Sequence, residues 1–470
     1  MTTRREFVCG MVSAGAAAGL PFGALADETP RLRFGVVSDI HIGGNPKSPQ
    51  YLESALKWLR AEHVDAVLCP GDIAHSGLIG EMERFAETWH SVFPGGRGAD
   101  GGRVELMIST GNHDIDAWNG RWAKYSEEKM SERRFCYRDN PAKTWDRLFG
   151  QKWELVWRRE VKGYTFVGSQ WSSLRPPVEE EIPRIASALD GSKPFFYCQH
   201  AHPKGTCYGP DMAEQGLTDG GESARVLSPY PNAVAFTGHS HCPLTDERSV
   251  WQGAFTSIGA GCLHGAGLDF RYDNATAAWH PSYRSRIMRR LEPDAPFGGG
   301  VELVEAYCDR LVVRRRSPQF GVDLGPAWVV PLPAKEGGPF DFARQTKRRK
   351  APQFAGGARI AVERCAGGHF EEGVSFAGRP CVSVTFPRAR TVDGCRVYDY
   401  VVTAKAEGMP SVEKRILAAG FAMPEERADL PGVCLFTEDE LPPGRAVYVS
   451  VVPRDCFGLA GRRLDSHFTG

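Results

Sequence analysis

None of the 13 cysteines forms a Cys-x-x-Cys pair, so neither a zinc ribbon nor a thioredoxin-like redox centre is indicated. Charge of one sign is not in excess: Lys+Arg and Asp+Glu number 57 each, and no global basic field recruits nucleic acid or an anionic membrane. The two dense basic clusters, Arg284 to Arg290 and Lys347-Arg348-Arg349-Lys350, read as solvated surface or linker. Long apolar runs are missing as well. The Ala/Gly-rich stretch ending at Leu20 is too short and too rich in glycine to span a bilayer comfortably, so no transmembrane span is expected once that segment is removed. Cys69, Cys198 and Cys242 lie in or beside apolar runs and read as small buried hydrophobes. Cys365, Cys381, Cys395, Cys434 and Cys456 can include disulfides, with no pairing legible.

What is there is a globular composition, 42% hydrophobic and 24% charged, over 470 residues, which is too long for one ordinary core and predicts two domains. Residues 1–26 form a targeting segment. Thr3-Arg4-Arg5-Glu6-Phe7-Val8 and the small-residue site Ala24-Leu25-Ala26 resemble a bacterial twin-arginine export signal. A mature chain starting near Asp27, in the periplasm or at the cell surface of a bacterium, is the expectation. A Sec signal or membrane anchor with incidental arginines is the other reading.

Behind that segment, short apolar runs alternate with amphipathic ones. Arg33 to Ser38, Val64 to Cys69 and Val104 to Ile108 read as buried strands. Between them, Ser48-Pro49 offers an N-cap and a first-turn proline for a helix carrying Leu52, Leu56 and Leu59 on one face. Met82, Phe85, Trp89 and Phe93 predict a second helix, and are core rather than a cofactor box. Continuous apolar strands linked by helices predict βαβ units and a parallel sheet buried on both faces.

Each strand ends in a polar cluster: Asp39-Ile40-His41, Gly71-Asp72, Gly111-Asn112-His113-Asp114, His200-Ala201-His202-Pro203 and Gly238-His239-Ser240-His241. Ligands bind outside the carboxyl ends of strands in open α/β sheets, so these clusters predict one shared site. Alternation puts His239 and His241 on the same side of an extended segment. Mixed His, Asp and Asn donors suit two borderline or hard divalent ions such as Mn, Fe or Zn.

In this order the five clusters resemble the calcineurin-like metallophosphoesterase family, over about residues 31 to 265. The resemblance implies a four-layer αββα sandwich in an α/β (α+β) chain, with a metallophosphoesterase domain over 31–330. It implies that Asp39, His41 and His241 hold one metal, that Asn112, His200 and His239 hold the other, and that Asp72 bridges them. A hydroxide between the two ions would attack a phosphate ester in line, with His113 as candidate general acid. The Gly238-His239-Ser240-His241 ending is similar to family members acting on phosphodiesters, which favours a diester over a monoester. Two departures stand out. The family's second aspartate, which orients the catalytic histidine, is replaced by His75. The fourth cluster offers both His200 and His202; His200 comes straight off its strand, leaving His202, with Asp114, as a candidate for the substrate rim.

The segments between clusters carry substrate choice. Trp118, Trp122, Tyr125, Arg133, Arg134, Tyr137, Trp145 and Trp153 form either a lid or a pair of helices burying their tryptophans. Gly205 to Ser228 and Arg271 to Arg290 read as rim loops. Residues 331–353, rich in Pro, Gly and basic residues, predict a linker. From 354 to 470, β-type runs at Ala358 to Glu363, Cys381 to Phe386, Val397 to Val402 and Ala446 to Val451 predict a β-sandwich of ~100 residues. Tyr398, Tyr400 and Pro453-Arg454-Asp455-Cys456-Phe457-Gly458 resemble fibronectin type III-like modules of exported bacterial enzymes. A non-catalytic binding scaffold at the cell surface is the alternative function, and metal content separates the two.

Overall fold

Along β1 (Leu32–Val36), Leu32, Phe34 and Val36 turn their side chains into the middle of the N-terminal domain. The computed structural model describes residues 29–115, 140–171, 176–209, 212–213, 216–264, 272–273, 278–279, 299–365, 380–418 and 420–469. Residues 1–28, where the targeting segment is expected, residues 116–139 and most of 265–298 lie outside the described residues.

β1 pairs in parallel with β2 (Ala66–Cys69), and β2 with β3 (Glu105–Ile108). On its other side β1 pairs antiparallel with strand Val301–Ala306, which is followed outward by Arg310–Ser317. The second sheet runs in the order β4 (Val156–Val161), β5 (Tyr164–Ser169), β6 (Phe195–Cys198), β7 (Ala233–Thr237), β9 (Thr256–Gly259) and β8 (Val250–Gln252). Its inner strands β5, β6, β7 and β9 are parallel.

The two sheets face each other across an aromatic centre. The Phe34 ring from the first sheet meets Phe166, Phe196 and Phe236 from the second at centroid distances of 5.2, 4.9 and 5.4 Å. Such tilted and edge-on ring pairs add about 0.5–1.5 kcal/mol each beyond the area they bury. The outer face of the first sheet is covered by α1 (Ser48–Ala61) and α2 (Ile79–Val92), whose Leu52, Leu56, Leu59, Met82, Phe85 and Trp89 share one core with Val67, Leu106 and Ile108. Helices Val178–Ala186 and Glu222–Leu227 cover the outer face of the second sheet. These are the four layers αββα.

Strand pattern alone predicts one open parallel sheet, and this is corrected. A strand covered on both faces is apolar throughout whether its far face meets a helix or another sheet. The helix start also differs by a residue. Ser48 is the first helical residue rather than the cap; Lys47 precedes it without a side-chain cap.

Residues 331–353, expected as a linker, contain helix Phe342–Arg348, capped by the Asp341 carboxylate on the Arg344 N–H. Phe340 is buried with the sandwich core, its carbonyl accepting from the Gln252 N–H at 3.2 Å. Beyond it stand two antiparallel sheets. One orders Ala361–Cys365, Cys381–Phe386 and Gly432–Thr437; the other orders Val412–Leu417, Val397–Ala406, Ala446–Asp455 and Leu464–Thr469. They close on Val382, Val384, Phe386, Tyr400, Val402, Phe436 and Val449. Among the described residues no helix is long and apolar enough to cross a membrane.

Candidate dinuclear metal centre

Five of the eight non-glycine residues with positive φ among those described are Asp39, His41, Asp72, His239 and His241. Left-handed backbone at a non-glycine residue costs on the order of 1–3 kcal/mol and persists where its surroundings over-determine it. Here the surroundings are the neighbouring turns. The turn after β1 zips onto the turn after β2: Asp39 N–H donates to Gly71 O at 3.0 Å, and Ile40 and His41 N–H donate to Asp72 O at 2.8 and 3.0 Å. Leu263 and His264 N–H donate back to Ser38 and Asp39 O at 2.9 and 3.0 Å. Glycine is demanded where these turns press together. A Cβ on Gly238 would collide with Ser38 Oγ and Asp39 Oδ2, and one on Gly111 with Asp72 Oδ1.

The strain delivers two donor groups that share one carboxylate. Asp39, His41, Asp72 and His241 form one, and Asp72, His200 and His239 the other. Asp72 Oδ2 lies 3.6 Å from His41 Nε2 and 3.1 Å from His200 Nε2. His241 Nε2 approaches Asp39 Oδ1 and His41 Nε2, each at 3.0 Å. His200 and His239 rings stand 4.8 Å apart. Asn112 opens the short turn after Gly111.

Whether these residues suit metal ions is decided by their unmet polar atoms. Asp72 Oδ2, Asn112 Oδ1 and His200 Nε2 are buried without a hydrogen-bond partner. Leaving such atoms unpaired costs about 1–3 kcal/mol each, more for a charged group. A carboxylate oxygen, an amide oxygen and an imidazole nitrogen are the donors a borderline or hard divalent cation takes. The remaining atoms of the same side chains are already used. Asp72 Oδ1 accepts the His113 N–H at 2.9 Å, and His200 Nδ1 donates to Pro70 O at 2.7 Å. That bond commits His200 Nδ1 and leaves Nε2 as the ring atom that faces Asp72. The residues fit a dinuclear divalent site.

Electrostatics point the same way. Burial pushes Asp39 up, but His241 beside it outweighs burial and holds the carboxyl down at about 2. Burial likewise opposes ionisation of Asp72, and His200 and His41 hold it far below the carboxylate range. Burial lowers His200, yet Asp72 raises it to about 9. Burial lowers His239 to about 4, with His200 adding to the effect. Two ionised carboxylates inside the domain demand positive charge beside them, supplied by protons on some imidazoles or by cations.

His113 stands beside the first donor group, its ring 4.6 Å from that of His41. Its Nδ1 lies 2.8 Å from His75 O, a carbonyl that accepts, so the N–H sits on Nδ1. His75 occupies the position of the missing aspartate and holds His113 by its main chain. Its ring Nδ1 lies 3.4 Å from His41 Nδ1.

Neither residue expected at the substrate rim lies on it. Asp114 is 1% exposed and accepts N–H groups of Ala74 and Gly111 at 2.8 Å each, tying the third turn to the second. Burial, with the Asp72 charge behind it, pushes its carboxyl up to about 8. His202 is fully buried, with Nδ1 2.6 Å from Thr237 Oγ1 and its ring against Tyr208. His200, not His202, faces Asp72. A short polar residue in a turn serves its own backbone as readily as a ligand, and an extended segment sends alternate side chains to opposite sides.

Two residues at the site were missed. The ring of Trp171 is 5.4 Å from His239, and that of His264 is 5.3 Å from His41. Ser48 Oγ lies 3.4 Å from His264 Nδ1. Trp171 follows the end of β5 and His264 the end of β9, so the strand-end rule applied to every strand reaches both. Trp145 and Trp153 are not lid residues: Trp145 is 2% exposed, with the Trp153 ring at 5.0 Å.

The loop after His241 rests on the C-terminal domain. Thr245 Oγ1 donates to Phe421 O at 2.6 Å, and the Arg248 guanidinium lies over the Tyr398 ring at 4.8 Å.

Residues 32–243 match the calcineurin-like phosphoesterase family. No curated protein matches the chain. Among solved structures it is similar to a dimetal phosphatase from Danio rerio, at 12% identity and TM-score 0.35, over 64% of this chain and 99% of that one. It is similar to a purple acid phosphatase from yellow lupin (Lupinus luteus) seeds, at 15% identity and TM-score 0.41, over 65% of this chain and 54% of that one. It is also similar to the anchor protein of the Plasmodium inner membrane complex, at 11% identity and TM-score 0.35, over 65% of this chain and 90% of that one. The family match covers the strand ends that carry Asp39, His41, Asp72, Asn112, His200, His239 and His241.

Proposed function

We propose that the protein is an exported dinuclear-metal phosphoesterase that cleaves a phosphodiester in preference to a monoester. The observation that carries this reading is Asp72, whose Oδ2 faces His41 of one donor group and His200 of the other. Asp39, His41 and His241 would hold one ion, Asn112, His200 and His239 the other, and Asp72 both. Two divalent ions, when bound, supply a Lewis-acid clamp for the phosphate oxygens and lower the pKa of the attacking water.

The chain's own residues do the rest. The His113 Nδ1–H is committed to His75 O, which leaves Nε2 as the atom that delivers a proton to the leaving oxygen. Asp114 keeps the Gly111 turn seated against Ala74, so His113 is presented at a fixed height above Asp72. Trp171 and His264 flank the two donor groups and meet whatever the phosphate carries.

The diester preference rests on Gly238-His239-Ser240-His241 and its resemblance to diester-cleaving relatives. Export rests on Arg4-Arg5-Glu6-Phe7 and Ala24-Leu25-Ala26. The C-terminal module is read as fibronectin type III-like, supported by the seven strands among its described residues, in two antiparallel sheets of three and four.

The test pairs metal analysis with hydrolysis of bis-p-nitrophenyl phosphate and p-nitrophenyl phosphate. Two ions per chain, faster diester cleavage and loss of both metal and activity in Asp72→Ala are expected. Folded protein with no metal and no activity after reconstitution with Mn, Fe or Zn sinks the reading. A faster monoester rate sinks its diester part.

A further inference from the structure

The C-terminal domain brings four of its five cysteines together in two pairs, and we infer that these pairs, Cys365 with Cys381 and Cys395 with Cys456, are disulfide sites. The inference is independent of the phosphoesterase reading.

Cys365 and Cys381 are direct register partners at the end of the antiparallel pair Ala361–Cys365 and Cys381–Phe386, with Sγ atoms 2.8 Å apart. Residues facing each other across antiparallel strands have Cα atoms about 4.5 or 5.5 Å apart, inside the ~4.4–6.8 Å range that a disulfide spans. Cys395 and Cys456 flank another ladder. Val397 pairs with Asp455, and the two cysteines lie just outside that pair, with Sγ atoms 3.6 Å apart and side chains 1% and 5% exposed. Among the described residues, no cluster of His, Cys, Asp and Glu able to hold a metal includes either pair. The fifth cysteine, Cys434, faces Val384 in register and serves as an internal control.

The chemistry needs an oxidant of the disulfide class, such as oxidised glutathione or the disulfide form of a protein dithiol. One protein thiolate attacks a sulfur of that disulfide and expels one thiolate, which leaves a mixed disulfide. The second protein thiol loses its proton and attacks the protein-bound sulfur of the mixed disulfide, expelling the other thiolate. Two protein thiols are oxidised, one disulfide is reduced to two thiols, and the two protons end on the leaving thiolates.

The second bridge would sit where the two domains meet. Arg396, next to Cys395, donates to Leu324 O at 3.1 Å, and Arg349 lies over the ring of Phe457, next to Cys456, at 5.2 Å.

The test is peptide mapping of the full chain refolded in a reduced/oxidised glutathione buffer and alkylated under denaturing, non-reducing conditions. Crosslinked peptides joining Cys365 to Cys381 and Cys395 to Cys456 are expected. Cys69, Cys198, Cys207, Cys242, Cys262 and Cys434 should be alkylated. Alkylation of the four paired cysteines in folded protein, or bridges to other partners, overturns the inference. Cys395→Ser is the second arm. It should free Cys456 for alkylation and leave the Cys365–Cys381 crosslink in place; a rearranged bridge from Cys456 overturns the pairing.

Discussion

His113 Nδ1 hydrogen-bonds the main-chain carbonyl of His75 at 2.8 Å, so the residue that replaces an expected aspartate still orients the candidate acid. A carbonyl does this for any side chain at the position. The His75 ring serves a different neighbour, with its Nδ1 3.4 Å from His41 Nδ1. His75→Ala should therefore keep kcat at saturating metal within about threefold while weakening metal affinity about 10–100-fold, the usual cost of losing a group that orients a metal ligand. Metal-dependent activity titrations check this, and a kcat loss as deep as that of His113→Ala would show the ring to be the orienting group.

His113→Ala should lower kcat by a factor on the order of 10²–10⁴ with metal content unchanged, because it removes a proton donor and no ligand. Metal analysis beside steady-state rates separates the two effects. Loss of an ion would move His113 into the ligand set.

Asp114→Ala should lower both stability and metal affinity although the residue binds no metal. The change orphans the N–H groups of Ala74 and Gly111, at about 1–3 kcal/mol for each buried donor left unmet. Thermal melting with and without added Mn reports it. An unchanged melting temperature would mean that the turn holds without its staple.

Gly238→Ala tests close approach. Its Cβ would collide with Ser38 Oγ and Asp39 Oδ2, so Asp39, the carboxylate nearest His241, must shift. Metal binding should fall at least tenfold while circular dichroism keeps its native shape. Undiminished metal content would show that the turn yields more easily than its hydrogen bonds imply.

Glu302 gives the pH dependence. It is fully buried opposite Arg315, neither carboxyl oxygen has a hydrogen-bond partner, and burial pushes it up to about 8 against the partial opposition of Arg315. Between its unfolded value of 4.5 and about 8, the native state keeps a proton that the unfolded chain releases, so stability falls as pH rises through that window. By pH 7 the loss is on the order of 3 kcal/mol. Glu302→Gln should flatten urea midpoints between pH 5 and 8, and an unchanged slope would assign the pH dependence to another group.

The strand-end clusters were legible because their chemistry is local. A buried strand is written as an apolar run, and a donor placed just past it must emerge at the sheet's carboxyl edge; Asp39, Asp72, Asn112 and His239 all follow from that. Asp114 and His202 were misplaced because a polar residue in a turn has the same local signature whether it serves backbone or substrate. Trp171 and His264 went unread because neither sits in a run of like donors.

By itself the sequence determined which segments become buried strands and helices, and which donors leave them at one edge. It also determined, through Gly71, Gly111 and Gly238, where turns can press together. Only the tertiary structure decided that the strands divide into two facing sheets, that Asp72 stands between His41 and His200, that a carbonyl holds His113, and that Cys395 meets Cys456 across 61 residues. The physical reason is the same throughout. Periodicity reports whether a side chain is buried, whereas packing between segments far apart in sequence decides what it is buried against.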